Sequence, residues 1–587
     1  MNRKIFLIAV TLVAMAALAA CGGSGSAGVS IALTNVPASL TINQSTSLSA
    51  VVSNDTTNAG VDWTCSPSGS CGTFNPTHTA SGSSTSYTAP GAAGSVTVTA
   101  TATADSSAHQ SSTIQINSSS ANGSLTGQYV YFVQGSDANG SIYTAVGSIT
   151  ADGNGNITTG EQDFEDSVVD SEQASLSGSY SIGSDGRGSV TLNISDISLP
   201  STETFSFATT STTHSLIIEF DGNATSSGTL DFQAPSAFDM TQINGGYAFT
   251  LSGEDLTNEV PIAFGGVATL NASATSLTNG TLDVNDGGDA SSFPITGSIS
   301  APDLNGRGTI TTSENTAYAY YAVQGEALRL IEEDGFIAGG TAYGQGTAAT
   351  NATNSSLMGN YVLYDSASTL VAPLGLVGQF TADGGGNITV GVADTNDGGS
   401  FESAASIATS TYSIPSGTGG QGTLTFTGNT QDVTLLNIFV ADPTLNLLDP
   451  NNTSGAGGAL IMDNSPNSIG NGLIIPQVTG SFTSGYAVNL QYFSSTAEVD
   501  LVGQAAAGAS SLTGNVDVND SGTTESAISF TAQFSADSSN PGRYTGNFSY
   551  GGVNIRTSYY QASTSQILVL DTDGDDVGNG FVIQQQP

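Results

Sequence analysis

From Val29 onward the chain runs in short stretches where an apolar residue alternates with Ser, Thr, Asn or Gly, and clusters of Gly, Asn and Asp end each stretch. Val96-Thr-Val-Thr-Ala-Thr-Ala-Thr103 is the clearest case. A period of two places successive side chains on opposite faces of a strand. No stretch sustains a 3.6-residue period, so the pattern predicts an all-β protein with little helix. Asp152-Gly-Asn-Gly and Ser184-Asp-Gly are hairpin signals, because such residues accept the left-handed backbone that tight turns require.

Residues 29–117 form the first predicted domain. Val29-Ser-Ile-Ala-Leu33, Ser45-Thr-Ser-Leu-Ser-Ala-Val-Val52, Val61-Asp-Trp63-Thr64 and the strand from Val96 read as an antiparallel β-sandwich. Trp63, the chain's one tryptophan, sits mid-strand and is expected in the core. The segment resembles bacterial Ig-like domains through Val61-Asp-Trp63-Thr64, Tyr87-Thr-Ala-Pro90 and the Thr/Val/Ala-rich strand followed by Ser111-Ser-Thr-Ile-Gln-Ile116. That resemblance implies a spacer or adhesive module. Cys65 and Cys71 are an even pair and are expected as a disulfide. A metal site is the rival, but neither histidine nor a third cysteine lies in the motif.

A polar linker, Ser118 to Gly123, leads into four repeats at 124–236, 241–347, 355–478 and 480–587. Their opening tyrosines, Tyr129, Tyr247, Tyr361 and Tyr486, lie 118, 114 and 125 residues apart. Landmarks recur in order in each. A Gly-x-x-Asp-x-x-Asp element carries Asp163 and Asp166, Asp283 and Asp286, Asp394 and Asp397, and Asp517 and Asp520. A Gly-rich turn holds Arg187, Arg307, Gln421 and Arg543. An apolar strand ends in Glu219, Glu332, Asp463 or Asp571, and each repeat closes on Gln233, Gln345, Gln477 or Gln584. Repeats one and three share Thr-Ala-Asp-Gly-x-Gly-Asn-Ile-Thr, and repeats two and four share Asp-Val-Asn-Asp. About eight strands per repeat with short connections predict up-and-down barrels, in which closure removes exposed edges. Two-sheet sandwiches are the alternative. The repeats resemble those of predicted bacterial envelope lipoproteins, a resemblance that carries no activity with it.

The first residues change the setting. Arg3-Lys4 and an apolar run from Ile5 to Ala20 have the order of a secretory signal, residues 1–20, and are short for a membrane span. Leu18-Ala19-Ala20-Cys21 resembles the lipobox of bacterial lipoproteins. It implies cleavage before Cys21 and lipid on its sulfur, with residues 21–28 as a flexible tether. The expected partner is therefore a membrane, reached through that lipid, and the expected location is the outer membrane or cell surface.

Composition narrows the chemistry. Net charge is −42, and loss of Arg3 and Lys4 leaves no lysine and five arginines, which makes nucleic acid a poor partner. The eight aspartates of the recurring element suit a hard cation, so calcium is the one candidate cofactor. In repeat one Asp152, Asn154, Asn156 and Asp163 imitate a calcium loop, but Ile157 stands where that loop needs glycine. Hairpin turns are the competing reading, and Arg187, Arg307 and Arg543 are placed to pair with those aspartates. His78, His109 and His214 are scattered, and no nucleophile elbow, phosphate loop or dinucleotide fingerprint occurs. The expectation is a non-enzyme with a structural or adhesive role, its repeats giving multivalency. A small-ligand or calcium binder using the barrels is the second reading, with an unknown surface or small molecule as partner. A carbohydrate-active enzyme is the third.

Overall fold

The structure, a computed structural model, describes residues 28–586 except for 35, 38, 42–43, 91–93, 118–120, 169–171, 196–199, 272–273, 453, 484 and 495–496. Cys21, the signal segment and most of the tether lie outside the described residues. The chain divides into two compact units, Met1–Ser119 and Ser120–Pro587.

The first unit holds two sheets. One runs in the order Ser30–Thr34, Ser45–Ser53, Ser84–Thr88, Thr73–Asn75, and the other Ser39–Thr41, Asp105–Asn117, Gly94–Ala102, Val61–Ser66, His78–Thr79. They share one core, to which Leu48 and Tyr87 contribute from the first sheet and Trp63, Val98 and Ile114 from the second. Trp63 donates its indole N–H to Thr79 Oγ1 at 3.0 Å, so its one polar atom is satisfied inside. Cys65 and Cys71 are joined as a disulfide.

The second unit contains the repeats. Repeat one is a closed antiparallel barrel of eight strands in sequence order: Thr126–Asp137, Ile142–Asp152, Asn156–Asp166, Glu172–Ile182, Arg187–Ile194, Thr202–Thr209, His214–Glu219 and Ala224–Phe232. Closure comes from the first strand pairing with the eighth, Val133 opposite Gly228. Repeats two and four close in the same way. Repeat three departs from the expected eight-stranded barrel: it is a nine-stranded open sheet. Its fourth strand is split into Ser400–Ser406 and Thr411–Ser413, and Ile407 to Ser410 leave the ladder. Thr409 takes φ +82°, a conformation that a regular strand cannot hold. One half of the split strand stays on strand three and the other on strand five, so the barrel opens between the halves.

The barrel interiors are filled. Tyr131, Ile149, Phe205 and Leu230 meet inside repeat one. In repeat two only about 40 Å³ remains, an apolar void among residues such as Tyr247, Leu270 and Ile310. The seventh strand is different from its neighbours: all six residues of His214–Glu219 and of Ala327–Glu332 are buried. One face fills the barrel and the other packs on an adjacent repeat, which explains why these strands do not alternate. A single apolar cluster accordingly joins residues of all four repeats, among them Val130, Ala319, Phe439 and Leu568. The fourth strand faces outward, and the first six residues of Asp289–Ile299 are all exposed.

Closure also depends on a close backbone approach. A Cβ at Gly228 would lie 1.7 Å from the carbonyl oxygen of Phe132 on the opposing strand. Gly228→Ala is expected to cost about 2–3 kcal/mol in urea unfolding followed by circular dichroism. Gly123→Ala, where a Cβ meets nothing within 4 Å, is expected to leave the midpoint unchanged.

Candidate functional site

The recurring aspartate element lies on the third strand of each repeat and ends it. Alternation along a strand sends residues three apart to opposite faces, so the two carboxylates of one element are not set to converge on an ion. The first aspartate instead meets the Gly-rich turn of the next repeat. Asp163 accepts from Arg307 Nε and Nη2 at 2.6 and 2.8 Å, and from the Tyr321 hydroxyl at 2.7 Å. Asp394 accepts from Arg543 Nε and Nη2, both at 2.9 Å. Asp517 of repeat four reaches back to repeat one, accepting from Arg187 Nη1 at 3.0 Å and Ser206 Oγ at 2.6 Å. The remaining junction has no cation: Asp283 accepts from the amides of Gln421 and Asn437 at 2.6 and 2.7 Å. Burial pushes the Asp283 carboxyl up, against the hydrogen bonds it accepts from Ser292, Asn437 and Gln421.

Two further contacts follow the same direction. Asn285, Asn396 and Asn519, two residues after those aspartates, donate to backbone carbonyls of the next repeat's last hairpin, Asn519 to Glu219 and Ala224 at 2.9 and 2.8 Å. Repeat one has Glu165 at this position. The closing glutamines Gln233, Gln345 and Gln477 donate to carbonyls of Ala322, Val440 and Gln561. In repeat four that part falls to Gln585, which donates to Thr209 at 2.9 Å, while Gln584 bonds within its own repeat. Junctions one to two, two to three, three to four and four to one therefore close the repeats into a ring.

The second aspartates are not part of these clamps. Asp166 accepts the Val168 N–H, and Asp520 lies 3.4 Å from the Ser521 hydroxyl. Asp286 and Asp397 are pushed up by burial and then by neighbouring acids, Asp255 and Asp289 for one and Asp432 for the other. Asp152 holds a hairpin, accepting from the N–H groups of Asn154 and Asn156 and from the Asn156 amide, and these bonds lower its carboxyl to about 2. The acidic stretch from Asp571 is also a hairpin: the Asn396 amide docks on carbonyls of Asp571 and Asp576, and Asp573 accepts from Arg556. Among the described residues no group of three or more His, Cys, Asp or Glu is arranged for a metal. Arg329 of repeat two crosses to Asp231 of repeat one at 2.5 Å, and Asp231 also holds His214 Nδ1 at 2.7 Å.

The ring encloses a chamber of about 240 Å³ to which every repeat contributes. Phe132 and Gln134 face it from repeat one, Thr341 from repeat two, Tyr364 from repeat three, and Gln491 and Phe581 from repeat four. These come from first and last strands, the pair that closes each barrel. One side of the chamber is covered by a segment present only in repeat three, Asp442 to Gly457, whose Leu447 and Leu448 line it. The segment ties the ring together. Asn451 donates to Phe232 of repeat one, Gln324 of repeat two donates to the Pro450 carbonyl, and Gln566 of repeat four donates to Asn446. The longer spacing of 125 residues before Tyr486 is the sequence trace of this insertion. The chamber itself left no such trace, because its lining differs from repeat to repeat.

Carboxyls are buried in pairs around this framework. Burial pushes Glu203, Asp463 and Glu498 to about 7 and Asp571 to about 8. Burial and then the paired carboxylate push Glu219, Asp365 and Asp500 well above the ordinary carboxyl range. Each pair thus retains a proton at neutral pH. No family model matches the chain, and a search of curated proteins finds no match.

Two predictions follow from the site. Arg543→Ala leaves Asp394 buried without its cation, and is expected to cost about 3–5 kcal/mol in urea unfolding. The double variant Arg543→Met, Asp394→Leu is expected to recover most of that loss, since two apolar groups leave no orphaned charge. Second, the raised carboxyls bind protons in the folded state that they lose on unfolding. Their stabilisation is full below the ordinary carboxyl range, about pH 4, and is lost as pH rises through 7–8. The urea midpoint is expected to fall between pH 5 and pH 8.5 (roughly the span of these titrations), and Asp500→Asn is expected to flatten the slope. A midpoint that rises over this range refutes the assignment.

Proposed function

We propose that the protein is a lipid-anchored component of the bacterial cell envelope, held at the outer membrane or cell surface through Cys21, with a structural or adhesive role. The observation that carries this reading is the order basic residues, apolar run, Leu18-Ala19-Ala20-Cys21 at the start of the chain. In this reading the first unit, with its resemblance to Ig-like domains, is the spacer, and the ring of repeats is the head. Filled barrel interiors support a scaffold over a set of four barrel-mouth ligand sites. The clamps support a rigid head in place of four independent beads, so multivalency would be set by the fixed spacing of similar outer faces. The acidic surface suits a partner that is neutral or basic.

Cys21→Ser tests the anchor. Expressed in a bacterial host with lipoprotein processing, the unaltered chain is expected to enter the detergent phase on phase separation and to carry the mass of acyl chains on its N-terminal cysteine. The variant is expected in the aqueous phase without that mass. Equal partition of the two, or an unmodified Cys21 in the mature chain, removes the lipoprotein reading.

A further inference from the structure

The central chamber is built by the ring and belongs to no single barrel. Its volume of about 240 Å³ is what about eight waters occupy in the liquid, and it is several times the apolar void inside repeat two. Its lining is chemically polarised. Phe132, Tyr364 and Phe581 give it aromatic surface, and the rings of Tyr364 and Phe581 lie 4.9 Å apart across the junction of repeats three and four. Gln134, Asn471 and Gln491 supply amides.

These amides are partly uncommitted. Gln134 donates its Nε2 to the Ser252 carbonyl and Gln491 donates to the Gln134 carbonyl and to Glu498. Among the described residues neither side-chain oxygen receives a donor, and the Asn471 side chain makes no hydrogen bond. Free acceptors beside aromatic faces fit a molecule that carries hydroxyl donors and presents C–H surface.

Charge narrows the choice further. Among the described residues no aspartate or glutamate lines the chamber, and the one cation there, Arg329, is bound to Asp231 through Nε and Nη2. A charged ligand would find no free counter-charge there, and leaving water unpaired is costly. Similar repeats would give a symmetric lining if the chamber were only a gap left by assembly. At the third residue after each opening tyrosine, however, stand Phe132, Thr250, Tyr364 and Asn489, four different side chains, all of which line the chamber. With Leu447 and Leu448 covering one side, the site is a cup with unlike walls.

We propose that this chamber binds one neutral sugar ring per chain, its C–H face against Phe581 and Tyr364 and its hydroxyls donating to Gln134, Gln491 and Asn471. The ring is the binding unit, so four repeats give one site. This inference stands apart from the lipid anchor and survives its failure.

Isothermal titration calorimetry on the full chain in detergent tests it, with methyl glucoside, methyl galactoside and N-acetylglucosamine as neutral probes and glucuronate and glucosamine as charged ones. At least one neutral sugar is expected to bind at one per chain. Asn471→Ala and Phe581→Ala are each expected to weaken it by about tenfold, the loss of one hydrogen bond or one stacking face. Asn471→Phe, at a partly exposed position, is expected to fill the chamber and abolish binding while far-ultraviolet circular dichroism stays unchanged. Absence of heat with every neutral sugar at millimolar concentration overturns the proposal and makes the chamber a water-filled gap. Binding that all three variants leave intact, or tighter binding of a charged sugar, overturns it as well.

Discussion

The second unit depends on one interaction, the buried bond from a carboxylate on strand three of one repeat to the Gly-rich turn of the next. A carboxylate removed from water is tolerated only when paired and fully hydrogen-bonded. Asp163 and Asp394 meet this with a guanidinium that binds through two nitrogens, and Asp517 with a guanidinium and a hydroxyl. Of the five arginines after Lys4, Arg187, Arg307, Arg329 and Arg543 each reach into another repeat, and Arg556 pairs with Asp573 of its own. A chain so poor in cations has placed most of them where they fix one repeat against another. Ring closure adds a constraint that a linear array lacks. The geometry of each junction is conditional on the other three, so the clamps act together and their energies do not add.

The ring in turn explains features that a single barrel does not. Seventh strands are buried on both faces because the outer face is a repeat–repeat contact. Closing glutamines lie just past the last strand because that is where the chain enters the next barrel, whose carbonyls need donors. The insertion in repeat three reaches all three other repeats, which only a ring makes possible for a segment of its length. Gly228 and its neighbours on the last strands let the first and eighth strands approach closely, and those two strands form the chamber wall. The framework that closes the barrels is therefore the one that shapes the cavity.

Much of this was legible in the chain. The eight strands of repeat one follow from alternation and hairpin signals, since a period of two and Asp-Gly or Asn-Gly turns are local. The landmarks were also visible, the aspartate element, the Gly-rich arginine and the closing glutamine. Pairing of the arginines with the aspartates was expected too, but not which repeats supply the two partners. Recurrence marks Asp394 and Arg543 as landmarks, and it does not say that they meet across repeats three and four. The spacing of two aspartates three apart resembles a cation motif only if the residues share a face, and on a strand they do not. The split in repeat three escaped for a related reason. Ile407 to Ser410 carry neither Gly nor Pro, and Thr409 adopts a positive φ that its residue type does not announce. Repeat four closes its ring contact with Gln585 where the pattern points to Gln584, a shift of one residue that alternation converts into the opposite face.

The acids give the last link. A surface of one sign repels itself, and a fold this acidic would gain from carrying fewer charges. The buried pairs do so by keeping protons: a carboxyl pushed to about 7 inside a barrel end is a neutral hydrogen-bonding group over much of the acidic range. Such groups also keep the neighbourhood of the chamber neutral. Asp500 accepts from the Ser227 hydroxyl, and Asp365 follows Tyr364 on the same strand. The chain thus uses its acids in two ways set by their partners. With a guanidinium from the next repeat they are charged clamps, and with another carboxyl they are protonated packing. Which role an aspartate takes is decided by the ring around it, and local sequence does not encode that.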